Sequence, residues 1–289
     1  MRDYAITTDS SCDFDQALAD SLGVTVVPLS VQIGPRRFRN APGEAMDSHS
    51  FYQLLSQGEL AQTSAPNVEE FKAVWRPILQ SGRDLLYLGF SSGLSGTYHN
   101  AAIAAEDLLE EFPEARIITV DTLCASLGQG MLVDLTVQEK RQGKTLDEAA
   151  AFAEKNRLHL CHWFTVGDLS QLRRGGRLSA GKAIVGNLLN IKPVLHVDNE
   201  GHLVPMASAK GRKKSIEALV SHMEESAVAP EQQCVYISHG DCLADAQLLA
   251  QMVRDRLHVS SVTIGDVGPV IGAHSGAGTL ALFFVGTHR

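Results

Sequence analysis

Leu85-Leu86-Tyr87-Leu88-Gly89-Phe90-Ser91-Ser92-Gly93-Leu94-Ser95-Gly96-Thr97-Tyr98 reads as a strand, a turn and the start of a helix. Leu85 to Leu88 is a short apolar run of the kind that forms a buried parallel strand. From Asn100 the period changes: Ala101, Ala105, Leu108, Leu109 and Phe112 share one helical face, and Glu106, Glu110 and Glu111 take the other. Between strand and helix lie Gly93 and Gly96 with the hydroxyls of Ser91, Ser92, Ser95 and Thr97. A helix starting there points its unpaired N–H groups and the positive end of its dipole outward, beside those hydroxyls. That is a place for an anion, phosphate or carboxylate. One serine alone reads as the cap of its own helix; hydroxyls and glycines together read as a ligand site.

The flanking sequence repeats the same unit. Tyr4 to Thr7 is a strand closed by Thr8-Asp9-Ser10-Ser11, which opens a helix carrying Ala17, Leu18 and Leu22. Val24 to Ile33 is rich in β-formers around Pro28, and Asp47 caps a helix with Phe51, Leu54 and Leu55 inside. Gln62-Thr63-Ser64-Ala65-Pro66-Asn67 reads as a turn before a helix from Val68 to Leu79. Ala115 to Val120 is a strand ending at Asp121-Thr122. Helices follow from about Cys124 to Gln142 and from Leu146 to Leu158. Such alternation predicts a mostly parallel sheet with ligands at the carboxyl ends of its strands. Four turns are expected to converge there: Asp9-Ser10, Thr63-Ser64, Ser91 to Thr97, and Asp121.

The second half has a different pattern. Leu172 to Ser179 is a basic, glycine-containing turn, and Ala183 to Leu189 an apolar helix. Lys192 to Val197 and Leu203 to Ala207 flank Asn199-Glu200-Gly201, a hairpin signal. Lys210 to Met223 reads as a helix opening on Lys210, Arg212, Lys213 and Lys214, most simply a solvated face. Val235 to Ser238, a helix from Ala246 to Leu257 and the strand Ser261 to Ile264 follow. A glycine-rich loop, Gly268 to Gly278, precedes the apolar strand Thr279 to Val285. The fold expected is α/β with two domains: residues 1–163, a mostly parallel β/α sandwich with the anion-binding turns, and residues 164–289, with a mixed sheet. His274, among glycines and a hydroxyl, suits a hydrogen-bond donor to an anion; a water-exposed loop histidine is the plainer alternative.

Composition narrows the function. The 289 residues are 44% hydrophobic and 20% charged, ordinary for a globular protein. A net charge of -8 argues against nucleic acid or an anionic membrane as the main partner. No apolar run approaches the roughly 18 residues of a membrane span, and Met1-Arg2-Asp3-Tyr4 leads straight into a strand without a signal peptide. Cys12, Cys124, Cys161, Cys234 and Cys242 are odd in number without C-x-x-C spacing, which predicts reduced thiols and a cytoplasmic location. His159 and His162 form the one close histidine pair, read as solvated at a helix end or turn rather than as a metal site.

These motifs, in this order, resemble the DegV family over essentially the whole chain. The marks are Thr8-Asp9-Ser10, Thr63-Ser64-x-Pro66, Ser91 to Tyr98, Asp121-Thr122, Gly176-Arg177-Leu178-Ser179, Ile191-Lys192-Pro193, Gly211-Arg212-Lys213-Lys214 and Gly272-x-His274-x-Gly276. The family is similar to the fatty-acid-binding subunits of bacterial fatty acid kinase, two-domain proteins that hold one fatty acid in a tunnel. The resemblance implies a non-catalytic, cytoplasmic subunit of phospholipid metabolism without a cofactor. It implies a long-chain fatty acid ligand, an ATP-dependent kinase that makes acyl-phosphate, and transient contact with a membrane surface.

Carried over residue by residue, the carboxylate is expected at Thr63, Ser95 and His274, with Ser64, Gly96 and Thr97 beside them. Tunnel walls are expected at Ile184, Val185, Leu188, Leu189, Val194, Val270, Ile271, Leu282 and Phe284, and docking charges at Arg177 and Arg212. Two positions depart from the family pattern: Ala65 stands where Gln is common, and Ala277 where Gly-Pro-Gly is usual. The physics agrees with the resemblance. Each buried methylene contributes about 0.8 kcal/mol, so a long acyl chain gains about 10 kcal/mol before ordering costs. A few neutral donors then suffice to orient the head group.

The alternative is a serine hydrolase using Ser95, Asp121 and His274, which stand in the α/β-hydrolase order. The nucleophile elbow requires G-x-S-x-G, and here Gly93-Leu94-Ser95-Gly96 continues with Thr97. Nucleotide binding at the same turn lacks both a P-loop lysine and a G-x-G-x-x-G run.

Overall fold

The structure, a computed structural model, describes residues 2–167, 169–178 and 190–289. In chain order its first elements are β1 (Tyr4–Asp9), α1 (Gln16–Leu22), β2 (Thr25–Val27), β3 (Ser30–Ile33), β4 (Arg36–Arg39), α2 (Ser48–Ser56), β5 (Ala61–Ser64), α3 (Val68–Gln80), β6 (Asp84–Gly89), α4 (Thr97–Glu111), β7 (Ile117–Asp121), α5 (Ser126–Arg141) and α6 (Leu146–Asn156). After these come β8 (Leu160–Thr165), α7 (Ser170–Arg174), β9 (Ile191–Val197), β10 (Leu203–Lys210), α8 (Arg212–Ser226), β11 (Cys234–His239), α9 (Leu243–Leu257), β12 (Ser261–Asp266), α10 (Pro269–Ser275) and β13 (Leu280–Val285).

Three sheets form the frame. One is wholly parallel in the order β2-β1-β6-β7, with every residue of β1 and β6 buried. A six-stranded mixed sheet runs β10-β9-β8-β13-β11-β12, parallel only between β11 and β12. A small antiparallel sheet, β4-β3-β5, packs its inner face on α2 and α10. The layers follow from which faces are apolar. Phe71 and Trp75 of α3 and Ala101 and Leu108 of α4 cover one face of the parallel sheet. Helices α5 and α6 fill the space between the parallel and mixed sheets, and α8 and α9 cover the far side of the mixed one. The α/β architecture with a parallel and a mixed sheet is the one the sequence predicts.

Local differences have local causes. Pro28 divides the β-rich run into β2 and β3, which join different sheets. Gln62 to Ser64, read as a turn, belongs to β5, whose alternating exposure marks a strand with one solvated face. Lys210 ends β10, and the helix begins at Arg212 after Gly211 at φ 87°. The glycine-rich segment before the last strand is a helix, α10, with Pro269 in its first turn and Gly276 at φ 80° closing it. His162 is buried within β8 and not part of a solvated turn. The change of pattern expected after residue 163 falls inside β8, a strand of the mixed sheet. Among the described residues no helix is long and apolar enough to cross a membrane, and no cluster of His, Cys, Asp and Glu could hold a metal.

Candidate functional site

The turn after β6, the inner face of β5, α10 and the cavity-facing residues of β8 and β13 enclose a cavity of ≈ 230 Å³. Its polar residues include Thr63, Ser95, His274 and Arg177. Its apolar wall includes Phe90, Leu94, Phe164, Leu172, Ala281 and Phe283, with Val197 and Leu203 supplied by the β9–β10 hairpin.

Each polar side chain is placed by its element. Thr63 points inward from β5, and its Oγ1 lies 2.8 Å from His274 Nε2. His274 rides on α10, upstream of Ala277, so the helix and not the departing loop residue sets its position. Burial and the nearby positive charge of Arg177 push its pKa down to about 4, so the ring is neutral at pH 7. Its Nδ1 is buried without a partner among the described residues. Ser95 Oγ lies 2.9 Å from Thr97 Oγ1 and accepts the Thr97 N–H at 3.3 Å. Gly96, the residue before α4, offers no side chain to cap the helix, and of the first-turn N–H groups that of Thr97 is the one taken by Ser95. Neutral hydroxyls, a neutral imidazole, a helix N-terminus and one guanidinium suit a monoanionic head group on an apolar tail.

The other predicted turns are used differently. Asp9 is fully buried and accepts the Tyr87 hydroxyl (2.6 Å), the Phe90 N–H (2.8 Å), the Ser11 N–H (3.1 Å), the Ser11 hydroxyl and the Gln129 amide (3.3 Å). Asp121 accepts the N–H groups of Ser92 (3.2 Å) and Leu123 (3.1 Å). Both hold the turn after β6 in place, and neither lines the cavity. Ser91 donates to Gly201 O at 2.9 Å, which ties the hairpin to the same turn. Gly201 has φ 79°, and a Cβ there would collide with Ser91 Oγ, so glycine is required at this contact.

Several expected site residues stand elsewhere. Ser64 follows Thr63 on a strand, so its side chain is on the exposed outer face. Gly96 does line the cavity; Thr97 is buried behind Ser95 and supports it. Val270 and Ile271 line the cavity as expected. Val194, Leu282 and Phe284 lie instead in the core under α8 and α9, on the opposite face of the mixed sheet from Ala281 and Phe283. An all-apolar strand such as Leu280 to Val285 gives no alternation from which to choose the face. Ile184, Val185, Leu188 and Leu189 lie outside the described residues.

Arg177, expected at a docking surface, lines the cavity, with Nε donating to Leu94 O (3.2 Å) and Nη1 to Gly175 O (2.6 Å). Arg212 is engaged by Asp245 at 2.8 Å. The hydrolase triad is not assembled: His274 bonds Thr63, Ser95 bonds Thr97, and Asp121 is occupied by backbone N–H groups. Sequence reasoning missed Phe90, Leu94, Phe164, Leu172, Val197 and Leu203. Only Phe90 and Leu94 carried a signal, being the apolar residues inside the hydroxyl-rich turn.

The α/β fold, with a largely apolar cavity that also gathers Thr63, Ser95, His274 and Arg177, is matched by known proteins, and comparison with them gives the family. The family model described as "uncharacterised protein, DegV family" matches residues 3–287. A DegV domain-containing protein of Clostridium perfringens is 41% identical over 286 residues, covering 99% of this chain and 98% of that one. A Thermus thermophilus DegV family protein described by its fatty acid binding superposes with a TM-score of 0.87 at 32% identity, over 98% of this chain and 99% of the other. Bacillus subtilis DegV, described as a fatty acid binding protein, gives 0.85 at 27% identity over 98% and 99%. The chain belongs to the DegV family.

Proposed function

We propose that this chain binds one long-chain fatty acid in the cavity and presents its carboxylate to a separate ATP-dependent kinase, which forms the acyl-phosphate. The observation that carries the reading is the meeting of Thr63, Ser95, His274 and Arg177 at one cavity whose other walls are mainly apolar. The hydroxyls and the imidazole supply directional donors, Arg177 a positive charge, and the apolar walls the affinity. Nothing in this arrangement activates a nucleophile, which favours a carrier over a hydrolase. A kinase reaching the carboxylate would approach beside Arg177, with Arg212 as a further contact.

Protein purified from a bacterial host, extracted with organic solvent and analysed by mass spectrometry, is expected to yield about one fatty acid per chain. Finding none sinks the reading. Acyl-phosphate is expected only after a fatty acid kinase and ATP are added; formation without the kinase refutes the carrier role. A fluorophosphonate probe should leave Ser95 unlabelled, and labelling there would restore the hydrolase.

A further inference from the structure

The tip of the β9–β10 hairpin is held by side chains and not by a neighbouring strand. β9 pairs with β8 only through Trp163 and His196, Phe164 and Leu195, and Thr165 and Val194. Beyond His196 that ladder stops, and residues 198–202 form the hairpin turn. Val197, just before the turn, and Leu203, just after it, line the cavity. Among the described residues two hydrogen bonds join the turn to the rest of the protein: Ser91 Oγ donates to Gly201 O at 2.9 Å, and Arg289 Nη1 donates to Asp198 O at 3.0 Å.

Arg289 gathers four segments at this point. Nη1 also donates to Leu123 O at 2.7 Å, so one nitrogen joins the hairpin to the turn after β7. Nε donates to Leu160 O at 3.0 Å, and Nη2 donates to Cys124 Sγ at 3.1 Å and to Arg157 O at the carboxyl end of α6. The guanidinium thus uses all its N–H donors on four carbonyls and a thiol. A lysine ammonium, with fewer donors and no rigid fork, cannot reproduce this set. Leu123 has φ 54°, a left-handed conformation that a leucine keeps only where its surroundings hold it.

The hairpin turn in its place rests on the segment that carries Ser95. A Cβ on Gly93 would come within 2.7 Å of Glu200 O, and one on Gly201 would collide with Ser91 Oγ. Leu94 and Ser95, next along the chain from Gly93, line the cavity. Resting on the fatty-acid reading above, we propose that Arg289 is a positioning residue of the acyl site. By holding Asp198 it keeps the hairpin turn seated on Ser91 and Gly93, which fixes both the Val197 and Leu203 wall and the backbone behind Ser95. Without Arg289 the bond from Ser91 alone holds the turn. The wall then loosens, and a bound chain loses apolar contact on that side.

The test compares the full wild-type chain with Arg289→Ala and Arg289→Lys in two measurements, the dissociation rate of bound stearate and amide hydrogen exchange of the delipidated protein. Stearate should leave Arg289→Ala at least about tenfold faster than wild type, with Arg289→Lys between the two. Exchange should rise at residues 91–97 and 198–203 while β1 and β6 keep their protection, a local pattern that a general loss of stability does not produce. If Arg289→Ala fails to fold, Arg289→Lys and Ser91→Ala, each weakening one of the two bonds to the turn, decide by the same two measurements. A dissociation rate within about twofold of wild type overturns the proposal, and so does exchange that rises evenly along the chain. Should the wild type bind no stearate, the fatty-acid reading fails, and exchange in the ligand-free chains still decides whether Arg289 holds the hairpin.

Discussion

Two hydroxyl-rich segments stand at the carboxyl ends of adjacent parallel strands, Thr8-Asp9-Ser10-Ser11 at the end of β1 and Ser91 to Thr97 after β6. The first is used up inside the protein: Asp9 accepts the Ser11 hydroxyl and N–H, the Tyr87 hydroxyl of β6, the Phe90 N–H at the second turn and the Gln129 amide of α5, and none of its four residues lines the cavity. The second spends Ser91 on the hairpin and the Thr97 N–H on Ser95, but Ser95, Thr63 and His274 still line the cavity. A hydroxyl-rich turn is a candidate site where, as at Ser95, its groups line a cavity instead of being used up by the protein. Substitutions in the two clusters should have opposite signatures, stability in one and ligand affinity in the other.

The largest effect is expected at Asp9. Its removal in Asp9→Ala leaves several buried donors unpaired at once, a cost of about 3–5 kcal/mol in unfolding free energy. Denaturant unfolding of the delipidated chain measures it. A loss below about 1 kcal/mol with ligand binding abolished would mean that Asp9 serves the ligand and that the comparison is wrong.

The head-group cluster should behave the other way. Thr63→Val, Ser95→Ala or His274→Phe each removes a donor to a charged acceptor, about 1.5–3 kcal/mol of binding, with little change in unfolding. Because Thr63 and His274 bond each other at 2.8 Å, their double mutant should fall short of additivity by more than about 0.5 kcal/mol. Titration of a long-chain fatty acid into each variant decides this. Strict additivity would show that the two do not share one carboxylate.

How much of this was legible depends on period. Strand β6 and the turn after it were readable because an apolar run ends abruptly in hydroxyls and a helical period begins. The segments holding Thr63 and Ser95, and His274 among its glycines, were marked locally; the family pattern joined them, and geometry brings Thr63 and His274 together across 211 residues. Of the cavity wall, Val270 and Ile271 were readable and the face of the mixed sheet was not. Val194, Leu282 and Phe284 are as apolar as Ala281 and Phe283, and only the sheet's position between α5 and α8 tells which face meets the cavity. The His159–His162 spacing reads as a solvated helix end or turn; pairing of His162 with Phe283 in a central strand overrides that.

A smaller effect separates the clusters by pH. The folded pKa of His274 is lowered from 6.5 to about 4, so between these values the unfolded chain binds the extra proton. Stability from this residue is therefore present above the unfolded pKa and lost as pH falls through the folded one. The contribution is on the order of 2 kcal/mol, since the ring keeps some access to solvent. His274→Gln should flatten the stability profile between pH 6.5 and about 4, and an unchanged slope would mean that Arg177 and burial do not act on this ring.

The smallest expected effect sharpens the site to a single atom row. Ser64 directly follows Thr63 and carries a similar hydroxyl, yet the strand turns it to the outer face, where it is exposed. Register supports this: Thr63 pairs with buried Val31, and Ser64 with half-buried Ser30 at the sheet's outer side. Ser64→Ala should change neither unfolding nor fatty-acid affinity by more than about 0.5 kcal/mol, while Thr63→Val loses binding as stated above. The pair is measured side by side in one titration series. Should Ser64→Ala weaken binding as much as Thr63→Val, the ligand-bound strand would have to present both hydroxyls. That would require a bulge in β5, because no regular strand turns neighbouring side chains to one face.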